Sequence, residues 1–141
     1  MSGAGSFVLD PRLEADSVAL ADGPLSQLRL VDDTRFAWLL LVPRVAGAVE
    51  WVDLDGASQR LLLAEVNRAA ALLRATGPCH KLNIGALGNV VRQLHVHVVA
   101  RNEGDAAWPG PVWGAGAMQR FAADARAARV ATLLAALPPI E

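Results

Sequence analysis

Apolar positions along the chain fall into two kinds of run. Short runs that alternate or stay continuously apolar over about four to eight residues have the spacing of strands. They are Ser17–Leu20, Leu28–Val31, Phe36–Val42, Lys81–Ala86 and Leu94–Arg101. Longer runs repeat every three or four residues, as on a helix with one buried face. Ser58–Ala75 carries Leu62, Val66, Ala69, Ala70 and Leu73 at this spacing, with Asp55 placed to cap it and Gly77-Pro78 to end it. A last helix over about Met118–Ala136 offers Phe121, Ala125, Val130, Leu133, Leu134 and Leu137 as a buried stripe and stops at Pro138-Pro139. Asp10-Pro11 has the form of a helix start, and Pro11–Asp16 supplies a turn or two. Asp22-Gly23-Pro24 and Asp32-Asp33-Thr34-Arg35 read as turns, whereas Trp108-Pro109-Gly110-Pro111-Val112-Trp113-Gly114 is too rich in proline for regular structure.

The run Trp38–Val42 is apolar on both faces of its strand, so a helix is expected to pack over the sheet. Strands grouped as hairpins around one long helix predict an α+β fold, an antiparallel sheet packed by that helix and by a C-terminal helix. With 141 residues and 53% hydrophobic content the chain fits a single domain, residues 1–141, with a core of about 7–115 and the C-terminal helix at about 116–137.

Charge narrows the choice of partner. The formal net charge is −1 and the 13 basic residues are scattered, unlike the basic stripe of a protein that holds long nucleic acid. A nucleotide partner would be small. The single cysteine, Cys79, excludes an internal disulfide and a multi-cysteine zinc site, and it reads as a half-buried thiol suited to a reducing compartment. No stretch reaches the roughly 18 uncharged apolar residues of a membrane span. Met1–Ser6 lacks the basic and apolar regions of a signal peptide and reads as a loose tail, so a cytoplasmic protein with no membrane partner is expected.

The candidate chemistry lies on one strand. In Gln93-Leu94-His95-Val96-His97-Val98-Val99-Ala100-Arg101, alternation puts Gln93, His95, His97 and Val99 on one face, while Leu94, Val96, Val98 and Ala100 anchor the other in a core. Two of the three histidines are thus held on a rigid element. A neutral imidazole is a good nucleophile and, as an activated phosphoramidate, a good leaving group, so it can take a nucleotidyl group from phosphorus and pass it to water. That requires a fixed tautomer and donors around the phosphate.

Leu82-Asn83-Ile84-Gly85-Ala86-Leu87-Gly88-Asn89-Val90-Val91-Arg92-Gln93-Leu94-His95-Val96-His97-Val98-Val99 resembles the signature of the histidine triad (HIT) superfamily, an Asn and a Gly-rich turn followed by His-φ-His-φ-His-φ-φ, where φ is apolar. Gln93 stands at the first triad position and Asn89 where a Gln commonly follows the Gly, giving an atypical Gln-His-His triad. Leu39-Leu40-Leu41-Val42-Pro43-Arg44 is similar to the family's strand ending in Pro and a basic residue. The Gln-Leu-His-Val-His-Val form and the Trp108–Gly114 segment resemble a bacterial branch akin to diadenosine polyphosphate hydrolases.

The resemblance implies a HIT-like fold, a homodimer, and a hydrolase or nucleotidyl transferase acting on dinucleoside polyphosphates or nucleoside phosphoramidates through a nucleotidyl-histidine. It assigns His95 as nucleophile, with a second nitrogen donating to a backbone carbonyl, and His97 to orient the phosphate or assist the leaving group. Gln93 cannot shuttle a proton, but its amide can donate to a phosphate oxygen or hold a neighbouring residue. Gly85 and Gly88 would let backbone approach a phosphate, and Asn83 and Asn89 would add donors. Asp32 or Asp33 would meet the ribose hydroxyls. Arg44 and Arg101 are either phosphate-steering or solvated, and Trp108 and Trp113 either stack on a base or pack a loop. Trp51 and Trp38 are expected in the core and at its edge, and His80 on the surface. No cofactor and no metal site are expected, any divalent cation arriving with the substrate. Two other functions compete: a nucleotide-binding or sensing module with little turnover, and a metal site using His95, His97 and Glu103.

Overall fold

The structure is a computed structural model that describes residues 6–140. The tail expected over Met1–Ser6 therefore lies, apart from Ser6, outside the described residues. In chain order the elements are α1 (Pro11–Asp16), β1 (Ser17–Asp22), β2 (Ser26–Val31), β3 (Ala37–Pro43), a 3-10 turn (Trp51–Asp53), α2 (Gly56–Thr76), β4 (Lys81–Gly85), β5 (Val96–Arg101) and α3 (Ala123–Ala136). The five strands form one antiparallel sheet in the order β1-β2-β3-β5-β4. This is the α+β architecture expected.

Both faces of the sheet are covered. Leu28, Leu30, Leu39, Leu41, Val96, Val98 and Ala100 face α2, where Leu62, Val66, Ala69, Leu72 and Leu73 complete the main core. The opposite face carries Val31, Trp38, Leu40, Val42 and Val99, packed by Leu13 of α1, Phe36 and Val112. That second cluster explains why β3 is apolar at every position from Trp38 to Val42. The register sets Leu40 opposite His97 and Gly85 opposite His97 on the other side, so His97 lies in the middle of the second face.

Local signals act as the residue types dictate. The Asp10 side chain accepts from Arg12 N at 2.8 Å and the Asp55 side chain from Ser58 N at 2.8 Å, each satisfying an orphan donor at a helix start. Glu65 of α2 is buried and reaches the β1–β2 turn, where its Oε2 accepts from the backbone N–H of Leu25 (2.9 Å) and Ser26 (3.1 Å). Gly23 leaves the space that this carboxylate fills.

Two expected boundaries shift. The strand bearing the histidines begins at Val96 rather than Leu94, and ten residues separate Gly85 from Val96, so β4 and β5 are joined by a long irregular connection instead of a tight hairpin. The last helix starts at Ala123, not Met118, because the preceding segment is drawn out across the β2–β3 connection: Thr34 N donates to Gln119 O at 2.7 Å, and the buried Asp32 carboxylate accepts from Phe121 N at 3.1 Å. Of the apolar stripe expected on that helix only Leu133 is buried, and Leu134 is exposed. Among the described residues no helix is long and apolar enough to cross a membrane.

Candidate active site

His95 directly precedes β5 and His97 is its second residue; both are buried, with ring centroids 5.0 Å apart. Their hydrogen bonds fix their tautomers. His95 Nδ1 lies 2.7 Å from Gln93 O. A carbonyl only accepts, so Nδ1 carries the proton and Nε2 keeps the lone pair. His97 Nδ1 lies 3.0 Å from Trp38 Nε1. An indole only donates, so here Nδ1 is the acceptor and Nε2 carries the proton. Burial, and secondarily the neighbouring His95, push the His97 pKa down from 6.5 to about 3. His97 is therefore neutral at ordinary pH, a hydrogen-bond donor through Nε2–H and not an acid. Of the two roles expected for it, orienting a phosphate fits this state, and assisting a leaving group would take the form of a hydrogen bond from Nε2–H rather than transfer from an imidazolium.

Gln93 sits in a bend before the strand. Its Oε1 accepts from Asp10 N at 2.8 Å and its Nε2 donates to Val8 O at 2.8 Å. The side-chain amide thus pairs with backbone as a neighbouring strand would, and it ties down the segment whose Phe7 and Leu9 pack on the second face. The amide oxygen and one of the two amide hydrogens are engaged, which is the neighbour-holding role open to it and leaves one N–H free among the described residues.

A cleft of about 320 Å³ opens over His95 and His97, within the usual range for small-ligand sites. Its walls are largely apolar, with Leu13, Val31, Leu40, Val112, Trp113 and Met118, and its charged lining comes from Arg12, Asp16, Asp33 and Arg35. Trp113 stands edge-on to His97, centroids 5.3 Å apart. A Cβ on Gly85 would lie 3.3 Å from the Trp113 ring, so this glycine makes room for the indole rather than for a phosphate.

The two acidic candidates separate. Asp33 lines the cleft and is gripped by Arg35, whose Nη2 is 2.9 Å from Oδ2 and whose Nε and backbone N donate to Oδ1. Burial works against the Asp33 carboxylate, but the bonds from Arg35 and from Gln119 N outweigh it and hold its pKa below the ordinary value. Asp32 points away, pairing with Arg120 (3.2 Å) and Arg126 (3.1 Å) and anchoring the C-terminal segment. Adjacent positions at a strand end put the two carboxylates on opposite sides. Of the two, Asp33 and not Asp32 lines the cleft.

The other expected donors are also dispersed. Asn83 Oδ1 accepts from Arg101 Nη1 at 2.9 Å. Arg101 is fully buried, bound bidentately by Asp105 (2.8 and 2.9 Å) and by Gly110 O (2.8 Å) between the rings of Phe36 and Trp108. It pins the Asn102–Gly110 loop to the sheet, so neither it nor Trp108 faces the cleft. Arg44 donates to Gly23 O at 2.6 Å in the β1–β2 turn. Asn89 is exposed, and its neighbours Gly88 and Val90 line the space on either side of His95. Glu103 lies 3.5 Å from His80 on the surface, apart from His95 and His97. Among the described residues no group of three His, Cys, Asp or Glu is placed to hold a metal.

The sequence pattern places Arg35 in a turn, Trp38 with the core and Pro11–Asp16 in a short helix, and none of them at the site. The β3–β5 register places Trp38 and Leu40 on the face of His97, a signal available only once strand pairing is known.

The HIT domain family matches residues 12–104 of the chain. The chain belongs to the histidine triad family. Among solved structures, this HIT chain is similar to a histidine triad protein from Bradyrhizobium japonicum at 42% identity and TM-score 0.91, covering 95% of this chain and 100% of that one. A histidine triad protein from Sinorhizobium meliloti is 45% identical with TM-score 0.90, covering 93% and 97%. One from Marinobacter aquaeolei is 36% identical with TM-score 0.93, covering 97% and 100%. None of the curated proteins compared matches the chain. HIT proteins are generally nucleotide hydrolases or transferases acting on small nucleotides.

Proposed function

We propose that this HIT protein is a nucleotide phosphohydrolase or nucleotidyl transferase working through a nucleotidyl-His95 intermediate, on a dinucleoside polyphosphate or a nucleoside phosphoramidate. The observation that carries the reading is the bond between His95 Nδ1 and Gln93 O, which leaves Nε2 with its lone pair beside a neutral His97. Nε2 attacks phosphorus as the bond to the departing group breaks, and Nε2–H of His97 donates to a non-bridging oxygen as charge develops there. Water then attacks the adduct and releases the nucleoside monophosphate. The apolar walls of the cleft suit a base, and Asp33, rather than Asp32, suits the ribose hydroxyls, with lone pairs of its carboxylate left over by Arg35. Any divalent cation would come with the substrate.

A second reading, a nucleotide-binding module with little turnover, draws on the commitment of the Gln93 amide to Val8 and Asp10. Rapid-quench mass spectrometry of the protein mixed with adenosine and guanosine polyphosphates and phosphoramidates, with His95→Ala alongside, separates the two. A transient gain of one nucleotidyl mass in the wild type only is expected; tight binding without adduct or product would replace the enzyme with the binding module. The unpaired edge of β4, with Ile84 exposed on it, supports the homodimer expectation, and light scattering on the purified protein tests it.

A further inference from the structure

Arg12, Asp16, Asp33 and Arg35 supply the charge around the cleft over His95 and His97. All but Arg12 are paired. Arg35 and Asp33 hold each other at 2.9 Å, and another guanidinium nitrogen of Arg35 donates to Ala115 O. Asp16 pairs with Arg120 at 3.0 Å. The Arg12 side chain is exposed, and among the described residues its guanidinium has no carboxylate within ion-pair distance and no hydrogen-bond acceptor. An unpaired cation on the rim of a largely apolar cleft whose other charges are neutralised attracts an anion into that cleft.

The position of Arg12 is set from the segment that bears the histidines. Arg12 is the second residue of α1, and its backbone N–H donates to the side chain of the cap, Asp10, at 2.8 Å. The N–H of that cap donates in turn to Gln93 Oε1 at 2.8 Å, and Leu13, next to Arg12, is buried on the second face of the sheet. Gln93, two residues before His95, therefore anchors the start of the helix that carries Arg12. The two arginines for which the sequence leaves phosphate steering open are committed elsewhere: Arg44 is bound in the β1–β2 turn, and Arg101 is buried under the Asn102–Gly110 loop.

Resting on the reading that a nucleotide places its phosphate at His95, we propose that Arg12 recognises the charge of that phosphate and that Gln93 serves the substrate indirectly, by anchoring the cap of α1. A guanidinium offers N–H donors in a plane that matches two phosphate oxygens. It takes no part in bond making or breaking. The nucleoside is left to the apolar walls, so loss of Arg12 separates recognition of the phosphate from recognition of the base.

The test is calorimetric binding of adenosine, guanosine and their 5′-monophosphates to wild type, Arg12→Gln, Arg12→Lys and Arg12→Glu, with the quenched-adduct assay run on the same proteins. The Arg12 side chain is exposed and its guanidinium makes no bond among the described residues, so the variants keep the fold. The readout is the ratio of monophosphate to nucleoside affinity. Relative to wild type it should fall about fivefold in Arg12→Gln, the scale of one partly solvated ion pair, fall further in Arg12→Glu, and stay within about twofold in Arg12→Lys. The nucleosides alone should bind all four proteins alike, and added salt should bring the wild-type ratio towards that of Arg12→Gln. Gln93→Ala should lose part of the ratio on its own and none on the Arg12→Gln background. An unchanged ratio in Arg12→Gln and Arg12→Glu, with adduct still formed, would overturn the role of Arg12 and leave the nucleotidyl-His95 reading standing. A full loss from Gln93→Ala on the Arg12→Gln background would overturn the link through the cap. Failure of the wild type to bind either monophosphate would overturn the whole inference, whereas binding with the expected ratios but no adduct would overturn the nucleotidyl-His95 reading alone.

Discussion

Acidification from pH 7.5 to 5 should weaken the wild-type fold by about 2 kcal/mol through His97, and the effect should vanish in His97→Gln. The His97 pKa falls from 6.5 in the unfolded chain to about 3 in the fold, so between those values the unfolded state binds more protons than the native one. Stability from this group is therefore complete above pH 6.5 and is lost as pH falls toward 3. At pH 5 the unfolded imidazole is protonated over deprotonated by about 30 to 1 while the folded one is almost entirely neutral, and the linkage relation turns that ratio into about 2 kcal/mol. The figure barely depends on the folded value, because any folded pKa well below 5 leaves the same unfolded-state term. Asp32, Asp33 and Asp105 are also held below the ordinary carboxylate value, but their contributions change as pH passes down through 3.8 and cancel between the two proteins. Gln at position 97 keeps an oxygen able to accept from Trp38. The assay is urea unfolding of wild type and His97→Gln at both pH values, read as the difference of differences. Parallel pH dependence in the two proteins would refute a buried, neutral His97 and with it the assignment of Nε2–H as a donor.

Three further outcomes follow from individual contacts. Trp38→Phe leaves His97 Nδ1 buried without its donor, and should cost about 1–3 kcal/mol in urea unfolding before packing losses, with reduced turnover because His97 is free to change tautomer. Gln93→Ala removes two bonds to the N-terminal segment, worth about 1 kcal/mol each, and hydrogen exchange at the Asp10 amide should accelerate while the nucleotide cleft stays protected. Asp32→Asn should destabilise by about 2–3 kcal/mol through loss of its charge-assisted bonds to Arg120 and Arg126, with deprotection of Phe121–Arg126; Asp33→Asn weakens the bonds to Arg35 and should destabilise comparably, and in addition raise KM for nucleotides, which Asp32→Asn should not.

The architecture was readable because its signals are local. Asp10 and Asp55 cap where capping chemistry places them, Gly77 follows the last turn of α2, and the two-sided apolar run of β3 announces a sheet covered on both faces. His95 and His97 were readable for the same reason, since strand-like spacing of two positions is written in the sequence itself. What was not readable depends on contacts between residues far apart in the chain. The partner of Gln93 lies 83 to 85 residues away, that of His97 lies 59 away, and the ties that draw out residues 119–121 run to Asp32 and Thr34. Asp32 and Asp33 could not be told apart because neighbouring side chains at a strand end diverge, and only the path of the C-terminal segment decides which one meets the cleft. Gly85 illustrates the same limit, as its use depends on where Trp113 returns to the sheet.

The account rests on His95 presenting an unprotonated Nε2. Nitrogen-15 NMR of histidine-labelled protein at pH 7.5, with His95→Gln and His97→Gln for assignment, reads both tautomers directly. The expected result is a proton on Nδ1 of His95 and on Nε2 of His97. A proton on Nε2 of His95 in the resting protein would contradict the account, because the atom required to attack phosphorus would then have no lone pair to do so.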